Sequence, residues 1–319
     1  MYGLSVVGNR RCDERPNVCL MSEDVKINRH KPLNGRALKY SLSCVTLLCG
    51  LQFSLLLVSS AFAGTGIDPT NSYAWAENVG WLNAAPTNSG VMVYFDGTSG
   101  YLTGYVWGEN IGWIKMGDQT GGPYANNSAT NWGVNLDATG TLSGYAWGEN
   151  VGWITFSPSN SVTTVDKTTG RFTGKAWGEN IGWISFEGVA PAYNVRTMAF
   201  DTQPLGTPNW WLTQHAVVET YDAGDGIPAW KKYVMDTDPN VLGDVLRIES
   251  LSNLPPATVT FRSSSRRYYT LQRCDDLTTG IWTNVASQTA IPGVDGLISL
   301  FDTTGATQQF YRVEVKVAP

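Results

Sequence analysis

The chain has 319 residues, 42% of them hydrophobic, 15% charged and 12% aromatic, with 34 glycines, 13 tryptophans and a formal net charge of −5. Ample apolar content and scarce charge exclude an intrinsically disordered chain, and the length suits roughly two domains. So many glycines beside so many tryptophans point to tight turns joining aromatic strands.

Residues 41–60, SLSCVTLLCGLQFSLLLVSS, form an uncharged apolar run. Lys26, Arg29, Lys31, Arg36 and Lys39 precede it, and Ala61-Phe62-Ala63 follows. A basic region, an apolar core and an A-x-A site spell a secretory signal peptide over residues 1–63, cut after Ala63. Met21 makes the more ordinary start for such a leader. Left uncleaved, the run approaches the roughly 20 residues of a membrane span and would be the sole membrane attachment. Leu48 stands where a lipoprotein box ahead of Cys49 needs a small residue. The expected location is extracellular or on the cell surface.

Cleavage changes the charge. The leader removes eight of 22 basic and four of 27 acidic side chains, leaving 14 against 23, net −9. An acidic exported chain does not attract phosphate backbones, so nucleic-acid partners are excluded. Cys12, Cys19, Cys44 and Cys49 leave with the leader and Cys274 stands alone, so no internal disulfide forms despite the oxidising compartment. Cys274 reads as a small packed residue with no acid–base partner.

From residue 64 to 189 one phrase recurs four times. The copies are AWAENVGWL from Ala74, VWGENIGWI from Val106, AWGENVGWI from Ala146 and AWGENIGWI from Ala176, at steps of 32, 40 and 30 residues. A repeat of this period signals stacked or radially arranged supersecondary units. Each full copy reads as three short antiparallel strands. Asp-x-x-Thr-Gly forms the first turn, where Asp bonds its own backbone, and Glu-Asn-[Ile/Val]-Gly forms the second. Copy one lacks its first strand, so about eleven strands are expected.

Alternation assigns the faces. Leu102, Leu142 and Phe172 share an aliphatic face with Ile114, Ile154 and Ile184, and glycine gaps there mark close backbone approach. The opposite, polar face carries three tryptophan pairs, Trp107 with Trp113, Trp147 with Trp153 and Trp177 with Trp183. Two readings compete: a joint packing neighbouring copies together, or a platform for sugar rings. Identity of the copies favours the joint. Open coplanar rings would favour sugar. Four equivalent glutamates, Glu77, Glu109, Glu149 and Glu179, lack the asymmetry that glycosidase carboxylates need, and read with their neighbouring asparagines as caps of turn N–H groups.

The repeat resembles the Trp-x-Glu-Asn-[Ile/Val]-Gly-Trp repeats of exported surface proteins of environmental bacteria. The resemblance covers about 120 residues and implies an extracellular β-repeat protein with little chemistry of its own.

Residues 190–243 read as a helical linker. Thr207-Pro208 opens one helix as cap and first helical residue, and Ile227 to Met235 forms a second. The segment is similar to the calcium-loop linkers, akin to dockerin or thrombospondin type 3 loops, of secreted bacterial proteins. The loop is degenerate: with Gly226 at position six, Asp225 falls at five, but Tyr221, Ala223 and Lys232 take positions one, three and twelve. An ammonium at position twelve should repel Ca²⁺, which wants several oxygens. Asp222, Asp225, Asp236 and Asp238 are the candidate calcium ligands, and no other cofactor is expected. His215, the one histidine beyond the leader, has no partner set for a metal site or a triad.

Residues 244–319 return to six or so short strands and read as a small β-sandwich, similar to C-terminal attachment or spacer modules of secreted bacterial proteins. The whole is an all-β chain: an antiparallel β-repeat domain, a short helical linker and a C-terminal β-sandwich. The functional expectation is a non-enzymatic adhesion or scaffold module meeting an extracellular polysaccharide or a cell-surface partner. The alternatives are a carbohydrate-binding module using the tryptophan pairs, or an accessory domain of a glycan-degrading system.

Overall fold

The computed structural model describes residues 66–118, 121–252, 256–304 and 309–318. The expected signal peptide lies outside them. The first copy contributes β1 (Ile67–Ala76) and β2 (Gly80–Asn83). The second holds β3 (Met92–Phe95), β4 (Gly100–Thr103), β5 (Tyr105–Gly108) and β6 (Gly112–Lys115). The third holds β7 (Val134–Leu136), β8 (Leu142–Gly148) and β9 (Gly152–Thr155). The fourth holds β10 (Thr164–Val165), β11 (Phe172–Thr173), β12 (Lys175–Gly178) and β13 (Gly182–Ser185). A hairpin of β14 (Glu187–Val189) and β15 (Ala192–Thr197) follows.

Each Glu-Asn-[Ile/Val]-Gly phrase is the tip of a hairpin: β1–β2, β5–β6, β8–β9 and β12–β13. The hairpins pair side by side through β2–β5, β6–β8 and β9–β12, and β13 returns to β1. Eight antiparallel strands thus close into a barrel, which leaves no exposed edge. The junctions share one register. Leu82 faces Gly108, Ile114 faces Gly148, Ile154 faces Gly178, and Ile184 faces Ala76.

Below this ring the middle strands continue and pair with the first strands of the copies, through β3–β4, β4–β7, β7–β8 and β10–β11. Single bridges Thr141–Thr164, Arg171–Arg196 and Gly66–Met92 carry the ring onward. The strand that copy one lacks comes from beyond copy four: β15 pairs with β1, Val195 opposite Ser72. The ring therefore closes with a piece of chain that carries no repeat motif, one strand more than the motif count gives. The 40-residue step between Trp107 and Trp147 houses the excursion between β6 and β7.

The inward face matches the alternation. Leu82, Leu102, Ile114, Leu142, Ile154, Phe172 and Ile184 are buried, as are Ala74, Ala146 and Ala176 on the middle strands. Large residues on one strand meet small ones on the next, and side chains fill an eight-stranded interior. The interior holds a small apolar void of about 40 Å³. The glycine gaps do admit backbone: a Cβ on Gly144, whose φ is +87°, would lie 2.2 Å from the Gly133 carbonyl oxygen. The Asp turns form as expected, with Asp137 Oδ1 accepting from the N–H of Thr139 at 2.8 Å and of Thr141 at 2.9 Å.

The linker contains α1 (Asn209–His215) and α2 (Ala229–Met235). Both begin one residue after a proline in extended conformation, Pro208 and Pro228, and neither receives a side-chain cap. Pro208 is thus the capping residue itself rather than the first helical one. The C-terminal sandwich sets β16 (Ile248–Ser252), β17 (Ala257–Arg262) and β21 (Leu297–Asp302) against β18 (Arg267–Cys274), β19 (Thr283–Asn284), β20 (Ile291–Pro292) and β22 (Phe310–Val317). Its core of Val259, Phe261, Tyr269, Leu271, Leu300, Val313 and Val315 also buries Met235 from α2, which ties linker to sandwich. Cys274 is buried.

Candidate functional site

The tryptophans stand on the outside of the barrel, because they alternate with the inward-facing residues along both strands of each hairpin. Within every hairpin the two indoles occupy directly opposed positions: Trp75 and Trp81, Trp107 and Trp113, Trp147 and Trp153, Trp177 and Trp183. Their ring centroids lie 4.9, 4.7, 4.7 and 5.0 Å apart with interplanar angles of 76°, 61°, 62° and 63°. This is edge-to-face contact, the geometry favoured by the indole quadrupole over a parallel sandwich. Trp75, Trp81, Trp107, Trp113, Trp153 and Trp177 remain 36–46% exposed, while Trp147 and Trp183 are half-buried.

A third ring completes three of the clusters. Tyr73, Tyr105 and Tyr145 set their edges against Trp81, Trp113 and Trp153 at 6.2, 5.9 and 6.0 Å. Lys175 takes this position in the fourth hairpin. Trp132 and Tyr193, from outside the repeated phrase, lean on Trp153 and Trp81 at 5.2 and 5.0 Å. The paired indoles do not interdigitate between copies, nor are they coplanar. They form four aromatic clusters around the barrel wall, each built chiefly within one hairpin.

What joins the copies is the turn. Asn110 Nδ2 donates to the Val79 carbonyl at 2.9 Å, Asn150 Nδ2 to that of Ile111 at 3.1 Å, and Asn180 Nδ2 to that of Val151 at 3.0 Å. At the closing junction the Trp183 N–H donates to Glu77 Oε2 at 3.3 Å. The asparagines therefore bond the neighbouring turn's carbonyl rather than N–H groups of their own turn, which corrects the capping expectation for them, while Glu77 does accept a backbone N–H, from the neighbouring hairpin. The asparagine amides reach sideways along the ring to a turn carbonyl of the preceding hairpin. Beneath them Ile111, Val151 and Ile181 plug the end of the barrel, with Val79 half-buried beside them. All four glutamates are exposed at equivalent turn tips.

The candidate calcium ligands are not drawn together. Asp222 Oδ1 accepts from the N–H groups of Gly224, Asp225 and Gly226. Asp225 Oδ2 receives the ammonium of Lys232 at 2.7 Å, and Lys232 is 0% exposed and also donates to the Val241 carbonyl at 2.7 Å. The hydrogen bond from Lys232 holds the Asp225 carboxyl down to about 2. Asp236 is engaged by Arg266 at 2.9 Å and Arg267 at 3.3 Å, and Asp238 accepts from the Asn240 N–H. Among the described residues no group of three or more His, Cys, Asp or Glu side chains assembles to hold a metal. The ammonium is not merely a repellent at position twelve: it fills the loop's interior as its own cation. His215 Nδ1 lies 3.5 Å from Asp238 Oδ1, and burial pushes its imidazole below the usual value against the pull of that carboxylate.

Sequence reasoning missed the buried Lys232–Asp225 pair and the sideways asparagine bonds. The Tyr-x-Trp spacing at Tyr105 and Tyr145 was a visible signal for the third ring. No family model, curated protein or solved structure matches this chain.

Proposed function

We propose that this chain is an exported, non-enzymatic β-repeat protein that adheres or scaffolds at a cell surface through the outer wall of its barrel. The observation that carries the reading is the set of half-exposed indole pairs displayed at four equivalent places around a closed, filled barrel. The strand ladders, the turn bonds and the aliphatic interior support closure, so the fold has little need of eight outward indoles. Exposed aromatic patches of this kind mark contact surfaces, and tryptophan and tyrosine dominate binding energetics where they become fully buried. The filled interior, the four equivalent exposed glutamates and the acidic balance support a role without catalysis or nucleic acid. The basic and apolar leader, and the resemblance of the repeat to exported surface proteins, support export.

The half exposure of the indoles also favours a second reading, a carbohydrate-binding module in which single indole faces take sugar rings. The steep angles within each pair argue against one continuous platform. The third, as an accessory domain of a glycan-degrading system, would share that surface. Retention of the mature chain on intact cell envelopes and on a glycan array separates them. Adhesion predicts envelope retention lost in a folded Trp113→Ala, Trp153→Ala double variant, with an empty array. Binding to arrayed glycans lost in the same variant selects the second reading, and unchanged envelope retention contradicts the first.

A further inference from the structure

An open groove lies at the other end of the barrel, about 290 Å³ between the β3–β4 hairpin and α1. That volume sits at the lower edge of the range of about 300–1,000 Å³ typical of ligand sites. One wall is a parallel pair: Tyr94 and Tyr101, opposed across the hairpin, stack at 4.9 Å and 8°. This is a different geometry from every indole pair of the outer wall, and Tyr94 is exposed. Trp210 of α1 forms the facing wall, held edge-on by Phe95 at 5.4 Å.

Apart from Asp96 and Ser99, the polar lining is uncharged and unspent. The hydroxyls of Tyr94, Tyr101 and Thr213 and the amide of Gln214 make no hydrogen bond among the described residues. Burial raises Tyr101 above the usual phenol value, so its hydroxyl keeps its proton. The one carboxylate, Asp96, is occupied by the N–H groups of Thr98 at 2.8 Å and Ser99 at 2.7 Å. The nearby Arg266 guanidinium is spent on the Asp236 carboxylate and the Asp96 carbonyl. Lys167 Nζ stands over the Phe95 ring at 5.6 Å and donates to the Ala138 carbonyl, and the lining itself contributes one negative charge and no cationic side chain. Aromatic faces for a C–H surface, with uncharged donors and acceptors around them, match a polyhydroxylated ring.

We propose that this groove binds a neutral saccharide, seating a pyranose ring between Tyr94 and Trp210 with its hydroxyls on Gln214, Thr213 and the tyrosine hydroxyls. The site is separate from the outer indoles and does not rest on their adhesive role. The middle strand runs from Gly100, at the groove, up to Gly108 beside the indole turn.

The test is calorimetric titration of the mature chain with neutral hexasaccharides of glucose, xylose, mannose and N-acetylglucosamine, and with polygalacturonate as an acidic control. At least one neutral oligosaccharide is expected to bind. Tyr94→Ala and Gln214→Ala, both exposed and safe for folding, are each expected to weaken it roughly tenfold, as loss of a stacking face or an amide contact of about 1.4 kcal/mol would. Binding lost in Trp113→Ala but kept in both groove variants would put the sugar on the outer indoles and overturn the proposal. No neutral binding at millimolar ligand, binding of polygalacturonate alone, or binding insensitive to both groove variants overturns the proposal. So does a loss of self-association in Tyr94→Ala, which would make the groove a contact between copies.

Discussion

Lys232 is the residue whose environment departs furthest from what its chemistry prefers. A fully enclosed ammonium survives only with a partner, and here Asp225 Oδ2 and the Val241 carbonyl share it. Lys232→Met keeps the buried stem but strands the carboxylate and the carbonyl. Urea unfolding should register a loss of about 3 kcal/mol, at the lower end for a broken buried pair because Asp225 retains some solvent. The same pair sets a pH dependence. Asp225 is held at about 2 against an ordinary 3.8, first by its hydrogen bond from Lys232, so its stabilisation is complete above pH 3.8 and lost as pH falls toward 2. Unfolding midpoints measured across that window should fall for the parent and fall less steeply for Lys232→Met; parallel curves would contradict the pairing. The sequence exposed this residue only as a misfit at position twelve of a calcium-type loop. Which groups a lysine meets inside a loop depends on the loop's path, and spacing does not carry it.

At the scale of elements, the hairpins were legible because their signals are local. Positive-φ glycine, an Asp that bonds its own backbone and strict alternation all act within a few residues. The strand that completes copy one was not legible. It lies more than a hundred residues from its partner and needs only to present Val195 to the interior and its backbone to β1. The asparagine bonds were hidden for the same reason, since their acceptors sit one repeat away, 29 to 39 residues back in the chain. Val195→Asp tests whether β15 is a true stave of the barrel. A carboxylate buried between Ser72 and Phe186 should destabilise the whole repeat domain by about 3 kcal/mol or more, read as a lowered thermal midpoint. An unchanged midpoint would make β15 a mere appendage.

For the whole molecule, closure decides what each face is for. The interior is spent on aliphatic packing around a void too small for a ligand, and the ends of the hairpins are locked by turn-to-turn bonds. The outward wall displays the paired indoles, and the tyrosine-walled groove opens below them. The polar face of the ladder was readable from alternation alone. Its curvature into a ring was not, because a repeat fixes its own pairing and not the number of copies that meet end to end. The most direct check is acrylamide quenching of the intrinsic tryptophan fluorescence of folded residues 64–319, compared with the same chain in denaturant. Outward, half-exposed indoles should leave most of the folded emission quenchable, at roughly half the unfolded efficiency given their exposure. Folded emission that resists acrylamide until the chain unfolds would place the indoles inside and contradict the account.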